Sequence, residues 1–179
     1  MDAMRLIEAS RCALARSQES AAIVVEVWQS QALAQAIGSR LAVAGPPELR
    51  GEALGLSELS GRGCAVLDPP QSGTQEIRAA GLTDIGDAHD TLLGLGALLG
   101  EVGIALVTVA MGAEDEGVYW QCMEAIDAAD ESRDRVLEML RRLAARERNA
   151  VSGGSALDRG SRGGRGRGDR VPEGKSPSC

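Results

Sequence analysis

The chain has 179 residues, of which 44% are hydrophobic and 2% aromatic, so its length and composition favour one domain with an aliphatic core. Residues 151–179 hold six basic and three acidic side chains, so of the total charge of −7 the first 150 residues carry −10. Because an acidic surface repels phosphate groups, this charge argues against binding of nucleic acid or anionic membranes, except through the basic tail.

The first 44 residues are predicted to be helical. Their start, MDAMRLIEASR, has an acid at position 2 and no apolar run, so it does not resemble a secretory signal. The polar stretch SQES at 17–20 predicts a hinge between two helices. Apolar residues recur at helical spacing in the second of them, namely Trp28, Ala32, Ile37 and Leu41.

The middle of the chain is rich in glycine and proline. GPP at 45–47 ends the helical segment, and a weaker helix is predicted from there to the start of a main loop at 61–73. A capping box in SGTQ at 72–75 then predicts a short helix that ends before Gly81.

The stretch LLGLGALLGEVGIALVTVAMG at 92–112 is the least polar part of the chain. It is long enough to cross a bilayer, but acidic residues flank both ends and neither end has the Lys or Arg anchor that orients a spanning helix. GLGALLG at 94–100 resembles a dinucleotide-binding turn, although no strand precedes it. We therefore predict a soluble core helix from about residue 83 to Gly112.

Three glycines of this helix, Gly96, Gly100 and Gly103, lie three or four residues apart. Because glycine inside a helix costs up to about 1 kcal/mol relative to alanine, they predict a face where a neighbouring backbone approaches closely. Glu101 is a candidate buried charge, which would need a partner. Candidate partners are Arg5, Arg11 and Arg40, and the alternative is that Glu101 lies on a narrow polar edge at the surface.

A last helix is predicted from about Glu116 to Arg148. Acids crowd its start and arginines its end, which stabilises a helix through its dipole. Acids at spacings of three and four also form a continuous ridge along it, namely Glu124, Asp127, Glu131, Asp134 and Glu138. This ridge is either an ordinary solvated face or a docking surface for a basic partner, including the protein's own tail.

Residues that could carry catalysis are few. The single histidine is His89, no serine lies in a GxSxG turn, and no Glu-x-x-His pair suits a metal site. The four cysteines, Cys12, Cys64, Cys122 and Cys179, are widely spaced and are expected to be reduced thiols. The sequence therefore predicts a non-enzyme without metal or cofactor.

The chain ends in an Arg/Gly-rich segment. RGGRGRG at 162–168 resembles an RGG-type segment that binds single-stranded nucleic acid, but it lacks the aromatic residues that stack on bases. Because its composition cannot bury a core, residues 150–179 are predicted to be a disordered tail.

Four stretches are similar to a small family of actinobacterial proteins known as a domain of unknown function. They are MDAMRLIEASR, QALAQAIGSRLAVAGPPELRGEA, LGALLGEVGIALV and YWQCMEAIDAADESRDRV, which together span nearly all of residues 1–148. The resemblance implies no activity and no site residues.

Taken together, the patterns predict an all-α bundle of four to six helices over residues 1–149, with a central apolar, glycine-containing helix and a tail at 150–179. The predicted function is that of a cytoplasmic, non-enzymatic interaction or assembly protein, with an unknown protein partner and a homodimer left open. The alternatives are a nucleic-acid-associated factor that uses its tail and a membrane-associated protein that uses residues 92–112.

Overall fold

The structure, a computed structural model, describes residues 1–67 and 76–160, and for residues 151–160 it describes the backbone. Within these residues the chain forms five α-helices: α1 (Ala3–Arg16), α2 (Ser20–Ala44), α3 (Arg50–Val66), α4 (Ala88–Met111) and α5 (Glu116–Gly160). The predicted all-α bundle, and the hinge between the first two helices, are therefore confirmed.

The chain divides into two compact units, Met1–Ala144 and Ala145–Cys179. Helix α5 continues to Gly160, beyond its predicted end at Arg148. Residues 161–179, with the RGG-type segment, lie outside the described residues. The disordered tail therefore stays a prediction for residues 161–179.

Helix α2 lies at the centre of the first unit and contacts α1, α3 and α4. Residues 29–34 are buried without interruption, so this helix is covered on all sides. Helix α4 contributes a second large part of the core through one face, and its fully buried residues include Leu95, Leu99, Val102 and Leu106. Their spacing of three and four residues places them on one side of α4, so its opposite side faces outward.

Helix α3 is longer than predicted and passes through Gly61 and Gly63. A Cβ atom at Gly63 would lie 2.9 Å from the Gln31 side chain, and one at Gly61 would lie 2.9 Å from that of Gln35. These glycines therefore give the α2 side chains room instead of ending the helix. The helix ends at Val66, and residues 68–75, with most of the predicted loop and its capping box, lie outside the described residues.

The segment before α4 pairs with the N-terminal end of the chain. The Ala3 N–H donates to the Asp84 carbonyl at 2.9 Å, and the Thr83 N–H donates to the Met1 carbonyl at 3.0 Å. A 3₁₀ turn at Arg78–Gly81 replaces the predicted short helix. Helix α4 begins at Ala88 because the Asp87 side chain accepts a hydrogen bond from the Asp90 N–H, which caps the helix.

Helix α5 packs against both α3 and α4. Its Ser132 hydroxyl lies 3.2 Å from that of Ser60 on α3, and Val136 contacts Gly96 on α4. Asp115 caps its start by accepting a hydrogen bond from the Val118 N–H at 3.1 Å. Helix α5 therefore closes the bundle on the side where α3 and α4 would otherwise be exposed.

Candidate interaction surface

The outward side of α4 is apolar. We call it the outer face, and it consists of six residues: Leu93, Ala97, Gly100, Ile104, Val107 and Met111. Leu93 is 51% exposed, Ile104 72% and Met111 84%. Large exposed aliphatic residues in one row are uncommon on a protein that works alone, and they mark sites of interaction.

A groove of about 480 Å³ runs beside the outer face, between α4 and α5. The small residues Ala97, Gly100 and Gly103 on α4 form one wall of the groove. The other wall is formed by three residues of α5, namely Ile126, Asp130 and Arg133. The groove is apolar at its floor, and its rim carries two acids, Glu101 and Asp130, and one base, Arg133. An amphipathic helix is the kind of element that such a groove accommodates.

Glu101 lies at the edge of this surface and pairs with Arg11 of α1. The Arg11 Nε donates to the Glu101 carboxylate at 3.0 Å, and Nη2 donates to it at 2.5 Å. The hydrogen bond and the charge of Glu101 raise the pKa of Arg11 above its ordinary value. The Glu101 side chain is 38% exposed, so the carboxylate is half-buried. It has an arginine partner, as expected for a buried charge, but it lies at an edge of α4 that α1 leaves open to solvent, as the alternative had it.

The other two candidate partners of Glu101 lie elsewhere. Arg40 donates to the carbonyls of Leu82 at 2.8 Å and Thr83 at 2.9 Å, and so holds the segment before α4 against α2. Arg5 is exposed on α1. Of the three arginines, the structure thus brings Arg11 to Glu101.

The glycine face of α4 contacts side chains of α5. A Cβ atom would lie 3.4 Å from Val136 at Gly96, 3.7 Å from Arg133 at Gly100 and 3.8 Å from Asp130 at Gly103. These are ordinary van der Waals distances, so the predicted close approach of a neighbouring backbone is wrong for these three glycines. The long side chains of α5 keep its backbone away from α4.

The predicted acidic ridge lies where α5 meets α3. Arg62 of α3 pairs with Glu131 at 2.7 Å, and Arg142 pairs with Glu138 at 3.2 Å. The hydrogen bonds from Arg142 and Arg141 lower the pKa of Glu138. Glu124 and Asp127 line a shallow groove with Arg62, and Asp134 lines a second groove with Glu138. Arginines of the same unit thus offset part of the ridge, and a docking role for it stays a prediction.

A buried polar cluster joins α2 to the 3₁₀ turn, and the sequence patterns did not predict it. The Glu26 carboxylate, whose side chain is 8% exposed, pairs with the Arg78 guanidinium. Arg78 also donates to the Ser10 hydroxyl at 3.3 Å, and the Gln29 side chain bonds the backbone of Glu76 and Arg78. The available signal was Glu26 itself, an acid within the apolar run AAIVVEVW.

Three side chains at the start of α4 have the composition of a metal site. The ligand atoms of Asp87, His89 and Asp90 lie within 4.8 Å of one another. All three residues are exposed, and Asp87 already accepts the capping hydrogen bond at 2.9 Å. Exposed acidic groups often lie this close without an ion, so we assign this cluster no ligand.

The described cysteines differ in exposure. Cys12 is exposed, Cys122 is buried, and Cys64 donates a hydrogen bond to the Trp28 carbonyl at 3.7 Å. Burial raises the pKa of Cys64 from its ordinary value of 9.0 to about 11, and it also raises the pKa of Cys122. Cys179 lies outside the described residues.

This difference predicts selective alkylation. In a Cys179→Ser background, iodoacetamide at pH 8 is expected to modify the exposed Cys12 quickly and Cys64 slowly. The thiolate is the nucleophile, and burial keeps most of Cys64 in the thiol form at this pH. Because the pKa of Cys64 is raised in the folded state, its labelling rate should increase as the pH rises toward 11. The contribution of this thiol to the free energy of unfolding should be present below pH 9 and decline from pH 9 to about 11. Peptide mass spectrometry measures each site, and equal rates at Cys12 and Cys64 at pH 8 would contradict the packing around Cys64.

Helix α4 is also long and apolar enough to cross a membrane, with a mean hydropathy of 2.1 over its most apolar window. Helices in soluble cores share this property, and 39% of that window is buried inside the bundle. Length and hydropathy alone are thus weak grounds for a membrane-spanning role.

Comparison with known proteins identifies the chain at the level of a family. The model of a family of unknown function, DUF6099, matches residues 1–142. This range contains α1 to α4 and most of the described side chains of α5. No curated protein and no solved structure matches the chain. Because the match extends over well more than half of its length, the chain belongs to the DUF6099 family of unknown function.

Proposed function

We propose that this chain is a non-enzymatic interaction protein of the cytoplasm, which binds a protein partner through the outer face of α4 and the groove beside it. The observation that carries the proposal is the exposure of Leu93, Ile104 and Met111 in one row on a well-packed helix. Burying a large aliphatic side chain stabilises a complex by roughly 1.5–3 kcal/mol. Three such side chains supply a useful part of the free energy that a specific complex needs.

A protein partner fits this surface better than a bilayer does. A helix that spans a membrane is apolar around its whole circumference, whereas α4 carries the Glu101–Arg11 ion pair at its edge. Insertion of α4 would also remove Leu95, Leu99 and Leu106 from the bundle, where all three are fully buried. A partner that covers the outer face leaves both features in place.

The proposal can be tested with a photo-crosslinking amino acid placed at Ile104 in the native host. Irradiation is expected to give covalent adducts with protein, because position 104 lies at the middle of the outer face. Val43 provides a matched control: it is 81% exposed but lies on α2, and it should give few adducts.

Two results would contradict the proposal. Adducts formed with lipid, and not with protein, would indicate that α4 is a membrane element. Equal yields of protein adducts at positions 43 and 104 would show that the outer face has no preferred partner.

A further inference from the structure

We infer that the outer face binds a second copy of this chain, with the two α4 helices packed antiparallel. The inference rests on the proposed function, since it names the partner of the same surface. It follows from the spacing, the sizes and the charges of the residues on that surface.

The spacing of the outer face is that of a helix–helix seam. Its residues alternate in steps of four and three from Leu93 to Met111, which is the pattern of coiled-coil contact positions. The series also reads the same in both directions about residue 102. A twofold axis at that level therefore places Leu93, Ala97 and Gly100 of one copy opposite Met111, Val107 and Ile104 of the other.

The sizes of the inner residues fit this antiparallel arrangement. Ile104 projects from the surface, with 72% of its area exposed, and meets Gly100 of the second copy, which has no side chain. Val107 likewise meets Ala97. Each large residue thus enters a gap left by a small one, as knobs enter holes. A parallel pair would set Ile104 against itself and leave Gly100 facing an empty space.

The charges on the rim of the groove match across the same axis. Helix α5 runs antiparallel to α4, because Arg133 lies beside Gly100 and Asp130 lies beside Gly103. A twofold axis at residue 102 places the level of Gly100 opposite residue 104 and the level of Gly103 opposite residue 101, so each lies within one residue of the other glycine's level. Asp130 of one copy then lies close to the level of Arg133 of the other. The axis repeats this pair with the two copies exchanged, so two ion pairs can form. Complementary charges of this kind select one register and orientation.

The size of the surface sets the expected strength of the dimer. The outer face is about 27 Å long at 1.5 Å per residue, and two helices packed side by side are roughly 20 Å wide. The footprint is therefore roughly 500 Å², which is smaller than the roughly 800 Å² per partner of a standard stable interface. We expect a dimer that dissociates in the micromolar range, in which monomer and dimer exchange.

Sedimentation of the full-length protein under reducing conditions tests the inference, since a reductant keeps the exposed Cys12 from forming a disulfide. The weight-average mass is expected to rise toward twice the monomer mass between about 1 and about 500 µM. Ile104→Glu should remain monomeric throughout that range. Val43→Glu also introduces an acid at an exposed aliphatic position, and it should behave as the unchanged protein does. Circular dichroism confirms that both variants fold.

Charge exchange tests the antiparallel register separately. Asp130→Arg or Arg133→Asp alone places like charges opposite each other at both ion pairs, so the dissociation constant should rise roughly tenfold. The double variant restores opposite charges and should recover most of the affinity. Single variants without effect, or a double variant weaker than either, would overturn the antiparallel register.

The inference of a second copy is overturned if the unchanged protein stays monomeric at about 500 µM, or if Ile104→Glu leaves the dimer intact. The crosslinking experiment at position 104 separates this failure from that of the proposed function. A monomeric protein that still gives adducts with a different protein overturns the dimer alone. A monomeric protein without protein adducts overturns both.

Discussion

Replacement of Arg78 by methionine is expected to lower the free energy of unfolding by about 3–5 kcal/mol. Arg78 pairs with Glu26, whose side chain is 8% exposed, in the cluster that joins α2 to the 3₁₀ turn. Methionine keeps much of the volume but leaves the carboxylate buried without this cation. The desolvation of that charge is then no longer offset by its ion pair, and this accounts for the size of the effect.

Urea denaturation followed by circular dichroism measures the change. An exposed ion pair is the matched control: Arg62→Met removes the partner of Glu131, and both side chains are about half exposed, so a loss of at most about 1 kcal/mol is expected. The double variant Glu26→Gln, Arg78→Met removes the charge as well and should recover part of the stability. Equal losses for Arg78→Met and Arg62→Met would show that the buried pair contributes no more than an exposed one.

Replacement of Gly38 by alanine is expected to destabilise the protein by about 1–3 kcal/mol, although alanine favours helix. A Cβ atom at Gly38 would lie 2.8 Å from the Ala53 carbonyl oxygen and 2.8 Å from the Ser57 nitrogen, both of which are backbone atoms of α3. Backbone cannot move aside as a flexible side chain does, so the substitution must push α2 and α3 apart at a contact where Gly38 is buried.

Two other glycines serve as controls for Gly38. Nothing lies within 4 Å of a Cβ atom at Gly51, so Gly51→Ala should increase stability by up to about 1 kcal/mol. Gly100→Ala would place its Cβ atom 3.7 Å from Arg133, an ordinary contact, and should not destabilise the monomer. If Gly38→Ala increased stability as Gly51→Ala does, the close contact of α2 with α3 would be refuted.

The glycines show what sequence spacing can and cannot predict. Gly96, Gly100 and Gly103 have the regular spacing that suggests a close helix contact, whereas Gly38 is a single glycine within α2. The structure reverses this expectation, because the distance between two helices depends on both surfaces. Spacing within α4 carries no information about the length of the α5 side chains that meet it.

Helix α4 shows the same limit for burial. Its composition predicts a core helix, and the fully buried Leu95 and Leu99 confirm that it contributes to the core. Because apolar residues occur on all sides of α4, its composition does not show which side is left uncovered by the other helices. The six positions of the outer face are visible in the sequence as steps of four and three, but their exposure follows from where α1 and α5 lie.

The sequence by itself determined the all-α class, the hinge before α2 and the start of α5 at Glu116, because these depend on residues within a few positions of each other. Helical periodicity, the Pro46–Pro47 pair and the acidic cap at Asp115 act locally. The tertiary structure alone decided which of three arginines meets Glu101, the pairing of Glu26 with Arg78, and which side of α4 faces outward. Each of these joins residues distant in the chain, so it depends on the packing and register of whole helices, which no local pattern encodes.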